Sequence, residues 1–270
     1  MTPIVIAAAP NGARRGKADH PALPLTADEI AREAARCREA GATMLHLHVR
    51  DADGRHSLDP DAYRAAITAV RREAGADLLI QPTTEAVGLY APEAQMAAMD
   101  ELRPEAFSVA LRELVPGAAA EADAARFYAA HAAAGVLVQH ILYDTADVAR
   151  FETLVRRGVI PDTGCSVLFV LGRYTAGQTS DPRDLLPFLA AYGGRFPWML
   201  CAFGAREGAC AATAAALGGH VRVGFENNLW LADGTTAPDT AALVAQAAAV
   251  LPLLGRTPAD PAAARALLRP

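Results

Sequence analysis

The chain has 270 residues, 52% hydrophobic and 20% charged, which is enough to bury a sizeable core and too apolar for a disordered segment. A net charge of -5 and an isoelectric point near 5.8 argue against a nucleic-acid backbone or an anionic membrane as the main partner, while leaving room for a small anionic substrate in a locally positive pocket. No run approaches the roughly 18 apolar residues of a membrane span, the start lacks a basic flank ahead of an apolar run, and the cysteines show no CxxC spacing, so the reading is a cytoplasmic protein with reduced thiols.

In chain order, residues 4–7 form the first β-like run, and a helix is expected over about 26–40. Thr26 with Glu29 three residues on is a capping-box pattern, and Gly41 stops the helix. Residues 44–49 are the second strand, ahead of a helix opening near Pro60. Further strands are expected at 78–81, 107–111, 136–142, 167–171, 198–202 and 221–225. Their helices open near Pro92, Ala119, Ala146, Pro182, Arg206 and Pro238, several on the proline favoured in a first helical turn. Eight strand–helix units across the length require parallel pairing and predict one α/β domain, residues 1–270, folded as a (β/α)8 TIM barrel. An open doubly wound sheet would carry GxGxxG after its first strand, and Asn11-Gly12-Ala13 is no such turn.

His46 and His48 lie two apart on the second strand, so the period of two points both imidazoles to one face. Leu45, Leu47 and Val49 take the other face, beneath covering helices, which leaves the histidines inside the barrel near the C-terminal mouth. An HxH pair alone also fits two histidines hydrogen-bonded within a polar layer. The eighth strand adds a second signal, because Arg222, Gly224 and Glu226 alternate with Val221, Val223 and Phe225. Strand eight neighbours strand one, which neighbours strand two, so Glu226 can meet both histidines as a two-nitrogen, one-carboxylate metal site. Of the other histidines, His20 lies in the loop after strand one, and His140 on strand five reads as a satisfied interior residue. His56, His131 and His220 are expected to do no chemistry.

Beside those residues stand Asn11-Gly12-Ala13, His20-Pro21-Ala22-Leu23-Pro24-Leu25-Thr26 and His46-Leu47-His48-Val49-Arg50-Asp51. Pro82-Thr83-Thr84, Phe169-Val170-Leu171-Gly172 and Gly219-His220-Val221-Arg222-Val223-Gly224-Phe225-Glu226-Asn227-Asn228-Leu229 complete the set. Together they resemble the β-keto acid cleavage enzyme family, whose founding activity is 3-keto-5-aminohexanoate cleavage. The resemblance implies a zinc-containing barrel, assembled as a homotetramer, that condenses a β-keto acid with acetyl-CoA to give acetoacetate and a new acyl-CoA. It implies His46, His48 and Glu226 as ligands of Zn2+ or another divalent metal, and Arg222 as an arginine beside the catalytic base. Thr83 and Ser108 are then substrate-contacting hydroxyls, with Asn11 and Arg14 expected at the substrate.

Two positions depart from the family pattern. After the zinc glutamate the family has an aspartate resembling its general base, whereas this chain has Asn227, an amide that takes no proton at neutral pH. Glu85, at the end of strand three, is the candidate replacement; alternatively it pairs with Arg222 or Arg112 and orders the loop. Where the founding type carries a glutamate for the substrate ammonium, this chain has Arg14 followed by Arg15, which disfavours a cationic substrate and suits an anionic or neutral one. The pair also fits solvated loop charges. Two rival readings are an amidohydrolase-type metal hydrolase and a metal-binding barrel without turnover. The first requires HxH on strand one and further histidines on strands five and six, and the second rests on Asn227 alone.

Overall fold

A computed structural model describes residues 1–269. The barrel strands are β1 (Ile6–Ala8), β2 (Met44–Leu47), β3 (Leu79–Pro82), β4 (Ala106–Ala110), β5 (Leu137–Leu142), β6 (Cys165–Leu171), β7 (Trp198–Ala202) and β8 (His220–Val223). All pair in parallel, in the order β3-β2-β1-β8-β7-β6-β5-β4. The two edges meet where Thr83 bridges Ser108 in parallel and the Thr84 N–H donates to the Ser108 carbonyl at 3.1 Å. That junction turns an edged sheet into the predicted barrel.

Each strand leads to a covering helix: α1 (Ala27–Glu39), α2 (Pro60–Ala74), α3 (Pro92–Leu102), α4 (Glu121–Ala133), α5 (Thr145–Arg156), α6 (Leu185–Ala191), α7 (Glu207–Ala216) and α8 (Thr240–Val250). The capping box on α1 forms as its sequence indicates, with the Thr26 side chain accepting from the Glu29 N–H. Ile30, Ala34 and Cys37, spaced along one α1 face, are buried against the barrel layer.

Alternation along the strands divides the core in two. Leu45, Leu47, Ile80, Phe107 and Val109 face the helices, while Met44, Leu79, Ala106, Leu137 and Met199 fill the barrel interior. The terminal helix Pro261–Leu267 is followed by Leu268, which with Ala264 joins the interior cluster beside Val5, so the chain plugs the N-terminal end of its own barrel. No helix of the described residues is long and apolar enough to cross a membrane.

Four expectations need correction. The first predicted strand splits around Val5: Thr2–Ile4 leaves the barrel and pairs in parallel with Arg256–Pro258. The second ends at Leu47, and Val49–Arg50 turns away to pair antiparallel with His56–Ser57. The eighth ends at Val223, because Gly224 adopts a φ of +145° that no regular strand continues. His140 does not face the interior. The β5 register turns Leu137 and Ile141 inward, and His140 stacks between Tyr128 and Phe151 on the helix side, with no partner for Nδ1 among the described residues.

Candidate metal centre and its mouth

His46 projects into the barrel from β2, and its Nδ1 lies 2.9 Å from Gln81 Oε1 on β3. Gln81 donates its own amide to Gln139 Oε1 at 3.3 Å, which turns its oxygen towards His46. His46 Nδ1 therefore carries the proton and Nε2 presents a lone pair. Facing that lone pair are His48 Nε2 at 3.0 Å and Glu226 Oε2 at 3.4 Å, and Glu226 Oε2 lies 3.6 Å from His48 Nε2. His48 lies just past the end of its strand and Glu226 in the turn beyond β8, yet their ligand atoms and that of His46 all fall within 4.8 Å of one another.

The approach of Glu226 is set by two backbone constraints. Its N–H donates to the Ala9 carbonyl at 3.0 Å, fastening the turn to the end of β1. Gly12, at φ +62°, lies against its side chain, and a Cβ there would come within 2.5 Å of Glu226 Cγ. Asn11, fully buried, donates its amide to the His48 carbonyl at 3.1 Å and so ties this loop to the second ligand.

Charge in the centre is arranged for a cation. Burial pushes the His46 imidazole well below its ordinary value, helped by the nearby Arg222, so it stays neutral and able to coordinate. For Glu226 burial acts the other way, but the Arg222 charge and the two imidazoles outweigh it and hold the carboxyl well below the usual carboxylate range. Arg222 donates to Glu226 Oε1 at 3.2 Å and to Cys201 Sγ at 3.3 Å. Glu226 Oε2 is buried without a hydrogen-bond partner among the described residues. Two imidazole nitrogens and an orphaned carboxylate oxygen around one point fit a divalent cation, and the donor set is that of a catalytic zinc site.

Two adjoining cavities open from this centre towards the mouth. The inner one is walled by His46, Thr83, Tyr143, Phe203, Arg222 and Glu226; the outer one meets Asn11, Arg14, Arg173 and Gln178. Glu85 borders both. Its expected ion-pair partners are not the observed ones: Arg112 is taken by Asp144 and Asp147, and Arg222 by Glu226. Glu85 instead lies 3.8 Å from Arg173 and 3.9 Å from His48 Nδ1, while its backbone is held by Thr83 Oγ1 and by His56. Ser108 Oγ is buried on β4 without a partner, as are both side-chain polar atoms of Asn227, which borders neither cavity. The two loop arginines part company. Arg15 reaches back to donate to the Phe225 carbonyl at 2.6 Å, and Arg14 remains at the outer cavity.

Arg173, Tyr143 and Gln81 were not among the candidates from sequence. Each had a legible position: Gln81 is a polar residue on the inward phase of β3, and the other two follow β5 and β6 at the mouth end.

A family model of the β-keto acid cleavage enzyme matches residues 3–269. The chain is 31% identical to the 3-keto-5-aminohexanoate cleavage enzyme of Acetoanaerobium sticklandii, covering 99% of this chain and 98% of that one. It is also 31% identical to the 3-oxoadipate:acetyl-CoA acetyltransferase of Cupriavidus necator, over 98% of this chain and 94% of that one. Among solved structures, apo ObcA superposes with a TM-score of 0.71 at 17% identity, covering 92% of this chain, which spans 65% of ObcA. Type I 3-dehydroquinate dehydratase from Clostridium difficile gives 0.61 at 13% identity, over 94% of this chain and 93% of that one. At these identities the two structures speak to the barrel alone.

Proposed function

The chain belongs to the β-keto acid cleavage enzyme family, and from that premise we propose that it condenses a β-keto acid with acetyl-CoA to give acetoacetate and a new acyl-CoA. The observation that carries the reading is the meeting of His46, His48 and Glu226 beside Arg222, beneath a mouth with further arginines. Held by those three ligands, a divalent cation, Zn2+ by the donor set, supplies Lewis acidity for a keto oxygen. Arg222 keeps a fixed positive charge for a carboxylate or a developing oxyanion, and its Nε and Nη1 have no partner among the described residues. Thr83 borders the inner cavity and offers its hydroxyl to a polar atom of the substrate, while Ser108 Oγ, unpartnered on the neighbouring strand, lines neither cavity.

Glu85 takes the proton that Asn227 cannot. It borders both cavities and is the carboxylate there besides Glu226, which the metal site occupies. Arg14 and Arg173 select the tail. Neither guanidinium donates a hydrogen bond to a described residue, and the approach of Glu85 to Arg173, at 3.8 Å, is too long for one. Arg14, without an ion-pair partner among the described residues, and Arg173, which shares its charge with Glu85, together favour an anionic tail, then a neutral one, and disfavour an ammonium. The substrate named for the Cupriavidus relative is of the anionic class. A cytoplasmic homotetramer is part of the same proposal, and light scattering of the purified protein checks the assembly.

Formation of acyl-CoA from acetyl-CoA and matched cationic, neutral and anionic β-keto acids tests this reading. The anionic member is expected to give the highest kcat/KM, and Arg14→Glu to shift preference towards the cationic one. Preference for the aminated substrate, unchanged by Arg14→Glu, overturns the tail assignment. Absence of acyl-CoA with every member overturns the activity.

A further inference from the structure

Glu207 is the first residue of α7, and a carboxylate in a first helical turn is ordinary on a surface. Here it is 1% exposed. Burial pushes its carboxyl up to about 8, against the pull of its hydrogen bonds and of Arg15 and Arg222. A buried carboxyl group is kept only where its oxygens are used. Glu207 Oε1 accepts from the Gly224 N–H at 3.1 Å, and Oε2 accepts from the Asn228 side-chain amide at 3.2 Å. Residues 224 and 228 bracket Glu226 with two residues on either side.

The rest of that turn is fastened elsewhere: the Phe225 carbonyl by Arg15, the Glu226 N–H by Ala9, and the Asn227 carbonyl by the Gly204 N–H at 3.1 Å. Among these contacts only Glu207 holds both ends of the turn from one side chain. Asn228 passes the constraint on, since its amide also donates to the Trp230 carbonyl at 2.6 Å and its oxygen accepts from the Trp230 N–H at 3.0 Å. We propose that Glu207 is a positioning residue for the metal centre, locking the turn after β8 so that Glu226 reaches His46 and His48. It touches neither the proposed substrate nor the ligand atoms. The inference rests on the metal reading above.

Zn2+ affinity, measured by competition with a chromophoric chelator on the full chain, tests it. Outer partners of metal ligands typically contribute about 10–100-fold in affinity, and Glu207→Ala, which removes both bonds, should lose that much. Glu207→Gln keeps an acceptor for Gly224 but turns an NH2 against the Asn228 NH2, so it should lose about 10-fold. Adding Asn228→Asp restores a donor–acceptor pair with the glutamine amide but sets a carboxylate oxygen against the Trp230 carbonyl in place of the amide donor, so it should recover only part of that loss. Phe151→Leu, on α5 and fully buried away from the turn, lowers stability without touching it and should bind Zn2+ like the parent protein. Unchanged affinity in the Glu207 variants, or a loss matched by Phe151→Leu, overturns the inference and leaves the metal reading standing. Failure of the parent protein itself to bind Zn2+ overturns both. Should Glu207→Ala not fold, Glu207→Gln and its double variant decide.

Discussion

Gly224 joins the end of β8 to the turn that carries Glu226, so Gly224→Ala should damage fold and site together. Its φ of +145° is one that side-chain-bearing residues rarely adopt, and a new Cβ would run into the Ala9 carbonyl, with the carbonyl carbon 2.8 Å away. The backbone strain costs on the order of 1–3 kcal/mol. Relief requires β8 to move from β1, which stretches the Ala9 N–H to Val223 bond of 2.9 Å and the Glu226 N–H to Ala9 bond of 3.0 Å. Each is worth about 1 kcal/mol net, so the total loss is about 3–5 kcal/mol. For a chain of this length a kcal/mol is worth about 2 °C, which predicts a Tm lower by about 6–10 °C. Because Glu226 is displaced with its N–H, Zn2+ affinity should fall in parallel. Scanning calorimetry and chelator competition read the two effects. A variant that melts and binds Zn2+ like the parent protein refutes the claim that this contact sets the turn.

Metal analysis of the His46→Ala/His48→Ala variant should find less than a tenth of the parent protein's metal, as a site left with one carboxylate loses its affinity; equal content removes the site. Glu85→Gln should lower turnover by roughly two to four orders of magnitude with metal content intact. It should also slow exchange of the substrate α-protons into deuterium oxide without acetyl-CoA; near-normal exchange makes Glu85 structural. Burial holds His46 well below its usual value, His56 and His140 at about 3 and His220 at about 4, so the native metal-free chain stays neutral where the unfolded chain gains protons near pH 6.5. Stability is therefore present above 6.5 and lost as pH falls, by about 1 kcal/mol per histidine between 6.5 and 5.5. Glu207, pushed up to about 8, and Glu113, also raised, bind protons more tightly in the native chain and offset part of this. The expected net result in urea unfolding is lower stability at pH 5.5 than at pH 6.5; equal or higher stability at pH 5.5 contradicts it.

The barrel was legible because its signal is local: period-two runs separated by helical ones fix eight units, and parallel order follows from the crossovers. His46 and His48 were legible for the same reason, although the second lies past its strand. Glu226 was found through an alternation that in fact stops at Val223; the inward direction survives because Gly224 turns the chain while the Ala9 carbonyl catches the next ligand's N–H. Element ends were less visible, since the pairing of Thr2–Ile4 with Arg256–Pro258 joins residues at opposite ends of the chain. Glu85 was placed correctly at the mouth but given the wrong partners, because its approach to Arg173 depends on how the loop after β6 folds over Phe203. His140 misled because a register of one decides which face a strand residue takes, and a histidine among aromatic rings fits either side. Glu207 carried no signal at all: its sequence position matches any acidic helix start, and its role exists only once α7 packs beside the turn after β8.

In the proposed reaction a carbon–carbon bond forms between the acetyl group and the α-carbon of the β-keto acid, and the bond from that α-carbon to the keto carbon breaks, the keto carbon leaving as the acyl group on CoA. The direct measurement uses acetyl-CoA carrying 13C at both acetyl carbons, with an unlabelled anionic β-keto acid, followed by NMR and mass spectrometry of the products. Both labels are expected at C3 and C4 of acetoacetate, with none in the acyl group of the new acyl-CoA and no reaction with the His46→Ala/His48→Ala variant. Label recovered only in acetate, or turnover that persists in that variant, would contradict it.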